Sequence, residues 1–250
     1  MPLKRKSYAT RRAAPKRARL VQRARKPRRS GRSRSASTVA LHQHHRWGSI
    51  GSTWYNVTND CTYTSTTGIL LVNAGVVQAG FACAFQLNDI VNVSEFTQLY
   101  DQYKIKGVMV TIKMITNPDA QNQTLNIGGQ ASTNFYPTIW YCPDHDDTTA
   151  PTLSFLKQYS RVKHKILRPN QEIKFFAKPN TLTQLYDGAL ATAYANTKGR
   201  PWVDMANPDV PHYGFKMAID FEGLTTGAAL TGQYQFKINC KYYIACKNAR

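Results

Sequence analysis

Residues 85–114 read FQLNDIVNVSEFTQLYDQYKIKGVMVTIKM. Asn92 stands three residues before Glu95, the spacing of a capping-box pair, and Val93, Phe96, Leu99, Tyr100 and Tyr103 then recur at helical intervals. The pattern predicts a helix of two to three turns. From Tyr103 the apolar residues alternate instead, with Tyr103 and Ile105 on one parity and Val108, Val110, Ile112 and Met114 on the other. The phase slips at Lys106-Gly107. A bulge there lets both halves of one long strand face the same core, whereas an uncorrected slip turns half of those side chains outward.

C-terminal to this stretch the same alternation returns twice. Tyr213, Phe215, Met217, Ile219 and Phe221 alternate with Gly214, Lys216, Ala218 and Asp220, one apolar face and one largely polar. Tyr234, Phe236, Ile238, Cys240, Tyr242, Ile244 and Cys246 alternate with Gln233, Gln235, Lys237, Asn239 and Lys241 over an unusually long strand. Eight strands are expected in all, near 53–64, 81–87, 103–115, 137–142, 158–167, 171–177, 212–222 and 233–246. Eight strands in this order fit a jelly roll of two four-stranded antiparallel sheets. The long connections 117–136 and 178–211 exceed ordinary loops and call for a role of their own. Within the second, 186–195 is compatible with a helical turn, and Tyr186 and Trp202 are candidate contacts between subunits, with Trp202 equally suited to plugging the domain's own core.

Charge divides the chain. Residues 1–46 hold 16 of the 33 Lys and Arg and no acid, so residues 47–250 carry 17 bases against all 14 acids, a net of +3. The first segment is therefore a polycation on a nearly neutral domain. Its bases are Lys4, Arg5, Lys6, Arg11, Arg12, Lys16, Arg17, Arg19, Arg23, Arg25, Lys26, Arg28, Arg29, Arg32 and Arg34, followed by Arg46. With few large apolar side chains to offset like-charge repulsion and ordering entropy, residues 1–46 are expected to be a disordered arm, and 47–250 the folded domain. Guanidinium groups suit phosphate oxygens, so the arm reads as a salt-sensitive, sequence-blind nucleic-acid ligand; its clusters also fit a nuclear-import signal. His42, His44 and His45 read as a polar hinge rather than a metal site.

The rest of the inventory argues against an enzyme. No H-E-x-x-H, G-x-S-x-G or Walker A pattern occurs, and the Asp144-His145-Asp146-Asp147 run reads as a solvated loop rather than a metal site. Cys142 and His164 make a nucleophile and base only if the fold joins them. The five cysteines form no CxxC pair and their number is odd, which suits free thiols in a reducing compartment. No apolar run approaches the roughly 20 residues needed to span a bilayer. A soluble protein made in the cytosol is expected, with no membrane partner, no metal and no cofactor.

The run F-x-L-x-D-I-x-x-x-S-E-F-x-x-L-Y-D-Q-Y-K-I leading into V-x-V-x-I resembles the capsid proteins of circovirus-like viruses, which carry circular single-stranded DNA. The resemblance implies a single jelly roll in which this run joins two strands through a short helix. It also implies a small icosahedral (T=1) shell of about 60 copies, a single-stranded DNA genome held on the arm, a virion location, passage through the host nucleus on an import receptor, and a cell-surface receptor that the sequence does not identify. The competing reading is a cellular nucleic-acid-binding module of ribosomal type with a basic tail. Such a module would extend its basic and aromatic surface onto the sheet, whereas the domain's composition is near neutral.

Overall fold

The computed structural model describes residues 41–51, 54–73, 76–115, 125–127, 130–132, 136–168, 171–187, 190–197, 199–221 and 234–249, with the backbone alone at 125–127, 130–132, 185–187 and 190–193. In chain order the early strands are β1 (His42–Gly48), β2 (Tyr55–Val57), β3 (Cys61–Thr64), β4 (Ile69–Val72) and β5 (Gln78–Phe85). A 3-10 turn (Leu87–Asp89) and helix α1 (Val93–Leu99) lead into β6 (Tyr100–Ile115). Then come β7 (Leu125–Ile127), β8 (Gln130–Ser132), β9 (Thr138–Cys142), helix α2 (Leu153–Leu156), β10 (Lys163–Ile166), β11 (Glu172–Ala177), β12 (Leu182–Asp187) and β13 (Leu190–Asn196). The chain closes with β14 (Val203–Asp204), β15 (His212–Asp220) and β16 (Tyr234–Ala249).

Two large antiparallel sheets result, beside the two-stranded hairpins β7–β8 and β12–β13. One runs β11-β6-β16-β4-β3, with β1 also paired to β16 and β14 to β6; the other runs β10-β9-β15-β5-β2. Lettered B to I in chain order, the eight expected strands fall into B-I-D-G and C-H-E-F, so the fold is a jelly roll. The sheets hold seven and five strands rather than four each: β1 and β14 pair with β16 and β6, β2 extends an edge of the second sheet, and β4 is inserted between strands B and I. The expected strand 53–64 is divided: β2 joins the five-stranded sheet, and the chain turns at Thr58–Asp60 so that β3 joins the other, a corner of the kind that sandwich strands make when they switch sheets.

The inner faces meet as one apolar core in which Phe81, Phe85, Tyr103, Phe221, Phe236 and Tyr242 are fully buried. The bulge lies where the parity slips: Tyr243 stands opposite Gly107 and Ile244 opposite Ile105, leaving Lys106 as the extra residue of β6. Its carbonyl accepts the Arg200 guanidinium at 2.7 Å. At Gly107 a Cβ would collide with the Phe176 ring, which lies across the bulge.

Three local expectations are corrected. The 42–46 segment is not a hinge but most of β1. Residues 186–195 form part of the β12–β13 hairpin, not a helical turn; Asp187-Gly188 is a hairpin-turn pair in sequence. Asn92 occupies the N-cap of α1 in the left-handed region (φ 59°) without a side-chain cap bond, and the reciprocal cap sits one turn earlier, where the Gln86 N–H donates to Asp89 Oδ2 at 2.8 Å. The largely polar outward face of β15 is covered by α2, where Leu153 and Leu156 pack on Ala218 and Cys142 in a second cluster.

Deleting Lys106 removes the bulge and the extra residue together, so Tyr103, Ile105, Val108, Val110 and Ile112 stay on one parity, whereas deleting Thr111, opposite Asn239, turns Ile112 and Met114 away from the core. Chemical denaturation is expected to find no cooperatively folded domain for the Thr111 deletion, while the Lys106 deletion stays cooperatively folded at a cost of about 1 to 3 kcal/mol.

Candidate functional site

The fifteen bases from Lys4 to Arg34 lie outside the described residues, so the structural question is how the domain receives the segment that carries them. It does so through β1. Seven consecutive backbone pairs, from His42 opposite Cys246 to Gly48 opposite Cys240, add β1 to β16. Apart from the exposed Trp47 the strand is polar, and its hold on the domain comes from the ladder and from α1 with the residue that follows it. His44 Nε2 lies 3.3 Å from the Tyr100 hydroxyl, its ring meets Phe96 edge-on at 5.1 Å, and the Arg46 guanidinium sits 5.3 Å from the Phe96 ring centre. Burial first, and then the charges of Arg46 and its histidine neighbours, lower the His44 pKa.

The far end of β1 is tied to the 3-10 turn. The Ser49 N–H donates to the Asp89 carbonyl at 3.0 Å, and a Cβ at Gly48 would strike that carbonyl oxygen, so the close approach requires glycine. The Tyr242 hydroxyl lies 2.9 Å from both the Ser49 carbonyl and Asp89 Oδ2. One hydroxyl proton cannot serve two acceptors. Burial pushes the Asp89 carboxyl up to about 6, against the opposing pull of the Gln86 N–H, the Tyr242 hydroxyl and the Gly51 N–H. The Tyr242 proton goes either to Asp89 Oδ2, which also accepts the Gln86 N–H, or to the Ser49 carbonyl.

In the Asp144-His145-Asp146-Asp147 run Asp146 and Asp147 are exposed, as expected of a loop, but Asp144 is buried in an ion pair. The Lys216 ammonium, 3% exposed, lies 2.8 Å from Asp144 and 2.6 Å from Asp147, and the Tyr159 hydroxyl donates to Asp144 at 2.8 Å. Burial opposes ionisation of Asp144, but the bonds from Lys216, the Asp146 N–H and Tyr159 outweigh it and hold its carboxyl below the usual range. The cluster pins the 143–159 segment across β15. Among the described residues no group of three His, Cys, Asp or Glu is arranged to hold a metal ion. Cys142 and His164 are not joined: His164 stacks on Trp140 at 4.6 Å, while Cys142 faces Lys216 across the ladder and burial pushes its thiol up to about 11. All five cysteines are free and buried. Trp202 lies outside the core, half-buried beneath the Lys247 and Lys104 ammoniums at 4.8 and 5.9 Å. The Tyr186 side chain is outside the described residues.

The model of the circovirus capsid protein family matches residues 5–250. The chain belongs to that family. No curated protein matches it. Among solved structures, the 60-mer BFDV capsid protein aligns with a TM-score of 0.52 at 13% identity, over 85% of this chain and 96% of that one. The decameric form of the same circovirus protein gives 0.45 at 14% identity, over 83% and 99%. The Macrobrachium rosenbergii nodavirus particle gives 0.41 at 8%, over 87% and 98%. At these identities the first match speaks for the fold, and the family match makes this a viral capsid protein of the virion. Structural work, not catalysis, is the role that follows from the family.

In this capsid protein the stretch that carries the family resemblance is the clamp on β1. Because the folded pKa of Asp89 exceeds its ordinary value of 3.8, the folded state binds the proton more tightly. The stability it contributes is full below pH 4 and is lost as pH rises through 6, on the order of 2 kcal/mol. Comparing thermal unfolding of the unaltered chain and Asp89→Asn between pH 4 and 7 is expected to show this component in the first and its absence in the second.

Proposed function

We propose that the chain is the repeating subunit of a small icosahedral shell, sixty copies in number, that packages a circular single-stranded DNA genome on residues 1–34. The observation that carries the reading is the separation of charge: fifteen bases and no acid precede the strand by which a jelly-roll capsid domain holds that segment. The 60-mer of the BFDV protein, whose fold aligns over most of this chain, supports the copy number. Sixty arms with fifteen bases each neutralise on the order of a thousand phosphates. A coil of about forty residues spans roughly 35 Å, so each arm sweeps a large part of a small interior. Before assembly, the same clusters serve a host nuclear import receptor.

The test replaces Arg23, Arg25, Lys26, Arg28 and Arg29 with Ala together and measures affinity for single-stranded DNA across a salt series. The slope of log affinity against log salt is expected to shrink by about 3 to 4, since each phosphate contact on a single strand contributes about 0.7. An unchanged affinity and slope would remove the arm as the packaging element.

A further inference from the structure

The near-neutral composition of the domain hides a strongly uneven surface. In the seven-stranded sheet the register places Lys237 directly opposite Lys113, Lys241 opposite Met109, Tyr243 opposite Gly107 and Lys247 opposite Gln102, all on the parity facing away from the core. Lys174 of β11 and Lys104 of β6 share this outer face. Its carboxylates among the described residues of these strands and β14 are Glu172, 3.5 Å from Lys174, and Asp204, which accepts the Ala206 N–H. Lysines directly opposed across a ladder repel; Lys113 stands opposite Lys237 on one side and Glu172 on the other, so that carboxylate offsets part of the repulsion. Near the other end, burial and then the charges of Arg200 and Lys106 lower the Lys104 pKa, which marks the same crowding of cations.

Aromatic rings are interleaved with these ammoniums. Trp47 is 58% exposed, and Lys241 Nζ lies 5.7 Å from its ring and 6.0 Å from that of Tyr243. Tyr243 continues to Phe176, 50% exposed, at 5.6 Å. Trp202 lies beneath Lys104 and Lys247 at the end of the sheet where β1 begins opposite Cys246. A row of aromatic faces with cations between them is the arrangement that stacks unpaired bases and holds their phosphates. Residues 237 to 247 extend over about 34 Å of strand, which suits a site of several nucleotides.

We infer that this outer face of the seven-stranded sheet is a second nucleic-acid site, one that takes single-stranded DNA by base stacking on Trp47, Tyr243 and Trp202 and by phosphate contacts to Lys104, Lys241 and Lys247. The inference rests on the packaging reading and refines it. The arm supplies sequence-blind attraction, and the face distinguishes single strands, whose base faces are open, from duplex. Chain continuity favours this occupant: the forty residues preceding β1, with their fifteen bases, join the domain at the edge of this sheet.

The test irradiates the full-length chain with a fifteen-nucleotide thymidine oligonucleotide carrying 5-bromodeoxyuridine and maps the cross-linked peptides. Cross-links are expected at Trp47, Tyr243 or Trp202 as well as in the arm, and they persist when the five arm bases are replaced. In that arm-substituted chain, Trp47→Ala with Trp202→Ala is expected to weaken single-strand binding by roughly tenfold or more while leaving duplex of the same length little changed. Cross-links confined to residues 1–40, or equal losses for single strand and duplex, overturn the face and leave the arm intact as the packaging element. A full-length chain that binds no single-stranded DNA overturns both. Protection of Trp47 and Trp202 on assembly without nucleic acid assigns the face to contacts between copies and also overturns the inference.

Discussion

The ladder between β6 and β16 is the constraint on which the rest depends. Two sixteen-residue strands pair along nearly their whole length, and every other strand of the seven-stranded sheet is attached to one of them directly or through β4. Its inward parity carries much of the core, from Tyr103 to Met114 and from Phe236 to Cys246. The parity is continuous only because one residue, Lys106, is set aside as a bulge. The outward parity of the same ladder gathers Lys104, Lys113, Lys237, Lys241 and Lys247 onto one surface. One register thus sets both the packing of the subunit and the distribution of its charge.

The stretch between β5 and β6 has a mechanical consequence for a capsid subunit. Its 3-10 turn and α1 grip β1 at both ends, through Asp89 at Ser49 and through Phe96 and Tyr100 at Arg46 and His44. Any pull exerted on the basic segment by bound nucleic acid enters the domain along β1, in shear against seven ladder pairs. The central ladder lies next in that path. The clamp also explains why a polar strand stays on the sheet with little apolar burial of its own.

Much of this was legible in the residues. Alternation over 213–221 and 234–246 located the two best-defined strands, and the parity change at Lys106-Gly107 located the bulge, because burial on one face forces a period of two and punishes a slip. What escaped was settled by tertiary partners. His42-Gln43-His44-His45 has no apolar face, so nothing local distinguishes it from a hinge; its strand geometry comes from the β16 edge it completes. Lys216 reads as solvent-facing until the 143–159 segment is laid across it. Asn92 stands at the N-cap of α1 as its spacing implies, but its left-handed backbone leaves the side chain without a cap bond, and the reciprocal capping belongs to the separate 3-10 turn at Gln86 and Asp89. The basic face was invisible to composition because its lysines come from strands far apart in sequence and are offset, in the sum, by acids located elsewhere. The arm's fifteen bases and the Tyr186 side chain lie outside the described residues, and their roles rest on the sequence.

Electron microscopy of the purified full-length chain mixed with single-stranded DNA tests the central claim, that this jelly roll is a subunit built to close into a shell around nucleic acid. The account predicts closed particles of one diameter that shield the strand from nuclease. A protein that stays monomeric with and without DNA, its strand fully digestible, would contradict it.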